Sequence, residues 1–225
     1  MLIHIPQVLT AEEVAEFRHR LDGVDWTDGR ETVGAQGAKV KHNEQLPDAS
    51  PLRQQLGQAV LNALKRSPMF FAAALPRKIL PPRFNRYAGG GEYGFHVDGG
   101  VMSLSETEHL RSDVSCTLFL NDPDEYDGGR LIVRDTYGDH SVALPAGDAV
   151  IYPSSSLHRV EPVTRGARIA SFFWIQSLVR EDSQRRTLFE LDTSIQKLTA
   201  DGADEDALLQ LTCVYHNLLR RWSDT

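Results

Sequence analysis

Apolar positions along the chain change their period twice. Over residues 1–75 they recur mainly at helical spacing. Thr10 followed by Glu13 is a capping-box signature. Val14, Phe17 and Leu21 then fall on one helical face. A polar, glycine-containing stretch runs from Asp22 to Asp48. A second helix is predicted from about Pro51, a favourable first-turn residue, through Leu52, Leu56, Val60 and Leu64.

Over residues 76–178 the period shortens. Alternating or continuous apolar runs occur at Ile79–Leu80, Arg83–Tyr87, Val114–Leu120, Arg130–Arg134, Ala149–Tyr152 and Arg168–Ile175. Turn-forming clusters separate them at Ala88-Gly89-Gly90-Gly91, Asp127-Gly128-Gly129, Pro145-Ala146-Gly147-Asp148 and Thr164-Arg165-Gly166. Many short strands between such turns predict a sandwich or barrel. From residue 179 to 225 the helical period returns. Leu188, Leu191, Ile195 and Leu198 form one stripe, and Leu208, Leu211, Tyr215, Leu218 and Trp222 another. Thr199-Ala200-Asp201-Gly202 separates the two, which predicts a helical hairpin. The stripes either pack on the barrel or contribute in part to a homodimer interface. The expected class is α+β: an N-terminal helical part (1–75), a β core (76–178) and a C-terminal helical extension (179–225).

Composition changes this picture little. The chain has 225 residues, 41% hydrophobic and 24% charged, which suits a globular protein. Its net charge of −7 argues against a nucleic-acid partner. No apolar run approaches the ~20 residues that span a bilayer, so no membrane partner is expected. The segment Met1–Gln7 lacks a basic region followed by a long apolar stretch. Cys116 and Cys213 are expected to be unpaired thiols, which fits a reducing cytoplasm.

The candidate chemistry centres on Phe95-His96-Val97-Asp98-Gly99-Gly100. On a strand, residues i and i+2 share a face, so His96 and Asp98 can offer an imidazole and a carboxylate to one metal ion. Two histidines and one carboxylate suit ferrous iron and leave coordination positions open for a bidentate co-substrate and O₂. His158 is the best third ligand, facing His96 across the lumen from a distant strand. His4, His19 and His42 precede the barrel. His109 lies in a polar segment, His140 in a turn and His216 on the last helix. An isolated His-x-Asp is a weak pattern and recurs by chance.

Arg168 adds weight. It lies ten residues after His158 and shares a strand face with Ala170, Phe172 and Trp174. An arginine facing into a barrel needs an anion, and a dicarboxylate such as 2-oxoglutarate matches its guanidinium bidentately. Read alone, Arg168 is equally an edge-strand arginine in water. Tyr87 can donate to the same carboxylate, or be a structural tyrosine with its tip in water. Ser115 and Thr117 share one strand face and are candidates to line the pocket.

Taken in order, Tyr87, Gly90, Tyr93, His96-Val97-Asp98, Leu118-Phe119-Leu120-Asn121, Gly128-Gly129, His158 and Arg168 resemble the prolyl 4-hydroxylase-type branch of the iron(II)/2-oxoglutarate dioxygenases. More closely, the full chain resembles the bacterial PKHD-type hydroxylases, through its Phe-His-Val-Asp segment, its Tyr-Asp-Gly-Gly segment and its helical C-terminal extension. The resemblance implies a double-stranded β-helix (jelly-roll) core. It implies one Fe²⁺ held by His96, Asp98 and His158, and 2-oxoglutarate held by Arg168 with Tyr87 as helper. It also implies ascorbate as an accessory reductant. Prolyl 4-hydroxylases commonly have lysine where this chain has Arg168, so the branch's substrate does not carry over.

The expected reaction converts 2-oxoglutarate and O₂ to succinate and CO₂ while hydroxylating a C–H bond of a small-molecule or protein substrate. Candidate specificity elements are Gly34–Gln45 and Val101–Asp113. In the first, Lys39, Lys41, Asn43 and Gln45 alternate, lining either a site or a solvated strand face. Two other readings compete: a cupin-like metal enzyme independent of 2-oxoglutarate, and a metal-binding sensor without hydroxylase activity. Neither gives Arg168 an evident role.

Overall fold

A computed structural model describes residues 1–224. Two β-sheets carry the fold. The larger has eight strands, with Ile3–Ile5, Ala149–Pro153, Val114–Phe119, Ala167–Ser177, Arg83–Ala88, Glu44–Gln45 and Thr27–Asp28 in spatial order, and Pro76–Ile79 beside Ala167–Ser177. The smaller has five, in the order Gly138–Val142, Leu131–Asp135, Leu157–Val160, Glu92–His96 and Lys41–His42. All of these pairings are antiparallel.

The larger sheet is covered on both faces, which is why Val114–Phe119 is buried at every position. One face carries Phe84, Cys116, Leu118, Phe173 and Ile175 and packs against Val14, Phe17, Leu56, Val60 and Phe70 of the N-terminal helices. The other presents Tyr87, Phe119, Val150 and Tyr152 to Leu131, Val133, Val142 and Val160 of the smaller sheet. The core is therefore a β-sandwich, and the space between its sheets is the lumen.

Local sequence sets the covering helices. Ala11–Leu21 begins with the expected capping box: the Glu13 amide donates to Thr10 Oγ1 (3.2 Å), and the Thr10 amide to Glu13 Oε2 (2.9 Å). Pro51–Leu64 starts at the expected proline, with Ser50 as its cap. Pro68–Ala74 repeats that device with Ser67, a helix the apolar period does not announce. The first 75 residues also supply four short strands, three of them within the polar stretch Asp22–Asp48.

The C-terminal pair is Asp182–Ala200 and Glu205–Trp222, turning at Asp201-Gly202 as expected. It attaches to the core through buried Leu75, Val179 and Leu188, with Tyr215, Leu218 and Trp222 packed around them. The stripes therefore cover part of the protein's own core, although no residue of the last helix is fully buried. Both cysteines are free, Cys116 buried and Cys213 exposed. No helix among the described residues is long and apolar enough to cross a membrane.

Candidate metal centre and active site

His96, Asp98 and His158 converge at the lumen, each offering a ligand atom within 4.8 Å of the others. No other group of three metal-ligating side chains converges among the described residues. His4 and His140 are instead occupied by Asp148 and Asp135, each at 2.7 Å. His140 lies on strand Gly138–Val142 rather than in a turn.

The route to this convergence differs from the expected one in two ways. His158 is not across the lumen from His96. It is its direct cross-strand partner, with the rings 4.2 Å apart. Asp98 lies two residues past the end of its strand, so strand alternation alone does not aim it. A β-bulge does the rest. His158 and Val160 oppose His96 and Tyr93, so two steps on one strand face three on the other. The extra residue brings Tyr93 and His96 to the same face, where their rings stack at 3.5 Å. Gly94 is needed there, because a Cβ would lie 2.9 Å from the Cβ of Val40.

Both imidazoles are oriented alike. His96 Nδ1–H donates to the Gly94 carbonyl (2.8 Å) and His158 Nδ1–H to the Ser156 carbonyl (2.9 Å). A carbonyl only accepts, so Nδ1 carries the proton of the neutral tautomer and Nε2 is the nitrogen available to a metal. These atoms lie 4.0 and 3.7 Å from the two Asp98 oxygens. Burial and the neighbouring His158 push His96 down to about 4, so it stays neutral and able to ligate at neutral pH. Ser115 Oγ donates to Asp98 Oδ2 (2.6 Å), and Ser154 completes the chain by donating to Ser115 (2.8 Å). Such supporting hydrogen bonds are typical of ligand carboxylates. Ser115 thus lies in the pocket wall, engaged with Asp98. Ser154 was missed, since nothing in Tyr152-Pro153-Ser154 marks it apart from its neighbours. The donor set, with both Nε2 atoms close to the Asp98 carboxylate, and its open side fit a divalent iron ion.

Arg168 is the other pole. It is only 1% exposed, so the reading as a water-facing edge residue does not hold. It stands directly opposite Tyr87, and its guanidinium lies 5.5 Å from the Tyr87 ring and 5.0 Å from that of Phe119. Its Nε has no hydrogen-bond partner. The Tyr126 hydroxyl is likewise buried and unpartnered. Tyr126 was also missed, although it opens the Tyr126-Asp127-Gly128-Gly129 segment. Gly129, at φ +61°, leaves room for this cluster: a Cβ there would come within 3.1 Å of both Arg168 and Tyr126. Burial pushes the Tyr87 phenol up to about 12, so it remains a donor. Thr117 also lines the cavity. The cavity that joins the two poles has a volume of about 640 Å³.

Comparison with known proteins places this geometry in a family. A PKHD-type hydroxylase from Stenotrophomonas maltophilia (strain R551-3) is 68% identical, with all of both chains covered. The chain belongs to the PKHD-type hydroxylases. A PKHD-type hydroxylase from Xylella fastidiosa (strain M23) is 64% identical, again over all of both chains. Residues 82–176 match the 2OG-Fe(II) oxygenase superfamily, and residues 182–224 match the PKHD-type hydroxylase C-terminal domain. Among solved structures, a Pseudomonas putida prolyl-4-hydroxylase shares the fold with a TM-score of 0.51 and 24% identity, covering 78% of this chain and 92% of that one. HygX from Streptomyces hygroscopicus, solved with nickel and 2-oxoglutarate, gives 0.53 and 17%, covering 78% and 82%. As a member of this family, the protein is an iron(II)- and 2-oxoglutarate-dependent dioxygenase. Neither the cupin-like nor the sensor reading accounts for this.

Proposed function

We propose that His96, Asp98 and His158 hold the iron and that Arg168 binds the distal carboxylate of 2-oxoglutarate within a jelly-roll core. The observation that carries this is a buried guanidinium, lacking a carboxylate partner, in the same cavity as a two-histidine, one-carboxylate cluster. An isolated buried cation is costly, and a dicarboxylate spanning the cavity would neutralise it. Ferrous iron bound there would supply O₂ activation, decarboxylation of 2-oxoglutarate to succinate and CO₂, and hydroxylation of a substrate C–H bond.

The protein's own part is placement. The Gly94 and Ser156 carbonyls fix the two imidazoles, and the Ser115–Ser154 pair fixes Asp98. The Tyr87 and Tyr126 hydroxyls offer donors beside Arg168, and Thr117 offers another along the cavity wall. Leu131 and Val160 of the facing sheet keep part of the lining apolar.

Anaerobic addition of iron(II) and then 2-oxoglutarate tests the assignment through the visible charge-transfer band of the chelate. The band is expected in the wild type and absent in His96→Ala. A wild type that binds iron but shows no band on adding 2-oxoglutarate would refute this site for the co-substrate.

A further inference from the structure

The lumen holds a second buried cation besides Arg168. Lys41 is 3% exposed. It lies opposite Tyr93, at the free edge of the smaller sheet, whereas Arg168 belongs to the larger one. The Lys41 Nζ sits 5.4 Å from the Tyr93 ring centre. It donates to Thr32 Oγ1 at 3.1 Å, and its other N–H donors meet no acceptor among the described residues. The Thr32 hydroxyl passes its own proton to the Gly29 carbonyl or to Gln45 Oε1, at 2.9 and 2.7 Å. Burial pushes the Lys41 ammonium down to about 8, the mark of a cation without a close counter-charge.

The surroundings share this character. Although the chain carries a net charge of −7, its cavity is lined by Lys39, Lys41, Arg83 and Arg168, with Asp98 as the acid. Asp98 faces the two histidines, so its charge is committed to the metal position. Arg83 is paired with Asp48. 2-Oxoglutarate has one distal carboxylate, and Arg168 accounts for it. Beside Lys41, the short strand Glu44–Gln45 sets Gln45 opposite Asn85 of the larger sheet. Gln45 Nε2 and Asn85 Oδ1 are both buried and unpartnered, one a donor and one an acceptor. Buried amide groups left open in this way cost stability unless a ligand completes them.

Building on the iron and 2-oxoglutarate assignment above, we propose that Lys41 anchors a carboxylate of the prime substrate, and that Gln45 and Asn85 read an adjacent amide. The substrate class is then a small N-acylated amino acid or a close analogue. Its carboxylate accepts from the Lys41 ammonium. Its amide carbonyl accepts from Gln45 Nε2, and its amide N–H donates to Asn85 Oδ1. The alternation of Lys41, Asn43 and Gln45 is thus the pattern of a specificity wall.

The test is calorimetric titration of protein loaded with manganese(II) and 2-oxoglutarate. The probes are a panel of N-acetyl amino acids and the matching N-acetyl amino acid amides, which lack the charge. At least one acid is expected to bind, with its amide partner ~10-fold weaker or worse, the scale of a hydrogen bond to a charged group. Lys41→Met should weaken that acid by a similar factor and leave 2-oxoglutarate affinity within about twofold, while Lys41→Arg retains acid binding. The thermal midpoint of each variant shows whether it folds. Equal binding of acid and amide, an acid indifferent to Lys41→Met, or no acid binding at all would overturn the proposal. Failure of the underlying assignment is seen separately: 2-oxoglutarate would not bind the manganese-loaded wild type before any acid is added.

Discussion

The lumen of the sandwich and the C-terminal helical pair handle polar side chains in opposite ways. On the helices, polar groups are satisfied locally and in water. Arg186 pairs with Glu190 at 2.7 Å, and the Thr193 and Ser194 hydroxyls return to carbonyls of their own helix at 2.9 and 2.7 Å. In the lumen, Arg168, Gln45 and Asn85 carry buried atoms with no protein partner. Leaving such a group open costs ~1–3 kcal/mol, more when it is charged. The lumen therefore keeps open polar groups that the helices avoid, as the proposed ligand site requires. Both regions match PKHD-type or oxygenase family models, yet the one cluster of metal-ligating side chains among the described residues lies in the first of them.

The sharpest way to break this contrast is to remove a lumen cation. Arg168→Ala should raise the 2-oxoglutarate KM by ~30-fold or more, since truncating one partner of a buried charged pair costs ~2–5 kcal/mol. Succinate formation against 2-oxoglutarate concentration measures it. A KM within a few-fold of wild type would show that the distal carboxylate binds elsewhere.

The buried imidazoles give the next effect. Burial holds His96 well below its ordinary value of 6.5, down to about 4. Between those values the unfolded chain binds the proton and the folded one does not. Stability must therefore fall as pH drops from about 6.5 towards 4, and this group contributes no slope above that window. Urea midpoints of chelator-treated protein across that range should show the loss, and His96→Gln should flatten it. Unchanged slopes in the variant would mean that His96 is not the group responsible.

A smaller effect is expected one step behind the ligands. Ser115→Ala removes the hydroxyl that fixes Asp98 and should weaken metal binding by ~10-fold, the lower end for supporting groups. Competition with a fluorescent chelator reads it. No change would assign the orientation of Asp98 to its loop alone.

The same contrast explains what could be read from the chain beforehand. Periodicity located the strand region, the main helices and the final hairpin, because each buries a regular face. His96, Asp98, His158 and Arg168 stood out because their residue types and order are chemically unusual. The adjacency of His96 and His158 was not legible. It depends on strand order and on a one-residue bulge, and a bulge interrupts the very alternation used to find strands. The polar stretch before Asp48 was ambiguous for another reason. Lys41, Asn43 and Gln45 have the composition of a solvated edge, and only the sheet pairings of residues 41–45 turn them inward. His140 fell in strand Gly138–Val142, a hairpin arm exposed at four of its five positions, so no apolar pattern announced it.

The smallest expected effect lies on the helical side of the comparison. Leu209 on the last helix is 63% exposed. If that helix only covers the protein's own core, Leu209→Ser should change stability by less than ~0.5 kcal/mol, as surface substitutions usually do. Turnover of 2-oxoglutarate should be unaffected, since Leu209 does not line the cavity. Thermal melts at several protein concentrations check both the size of the effect and its origin. A melting point that falls by several degrees, and depends on concentration only in the wild type, would mean that a second copy covers this face. The exposed stripe would then resemble the lumen after all, as a surface completed by a partner.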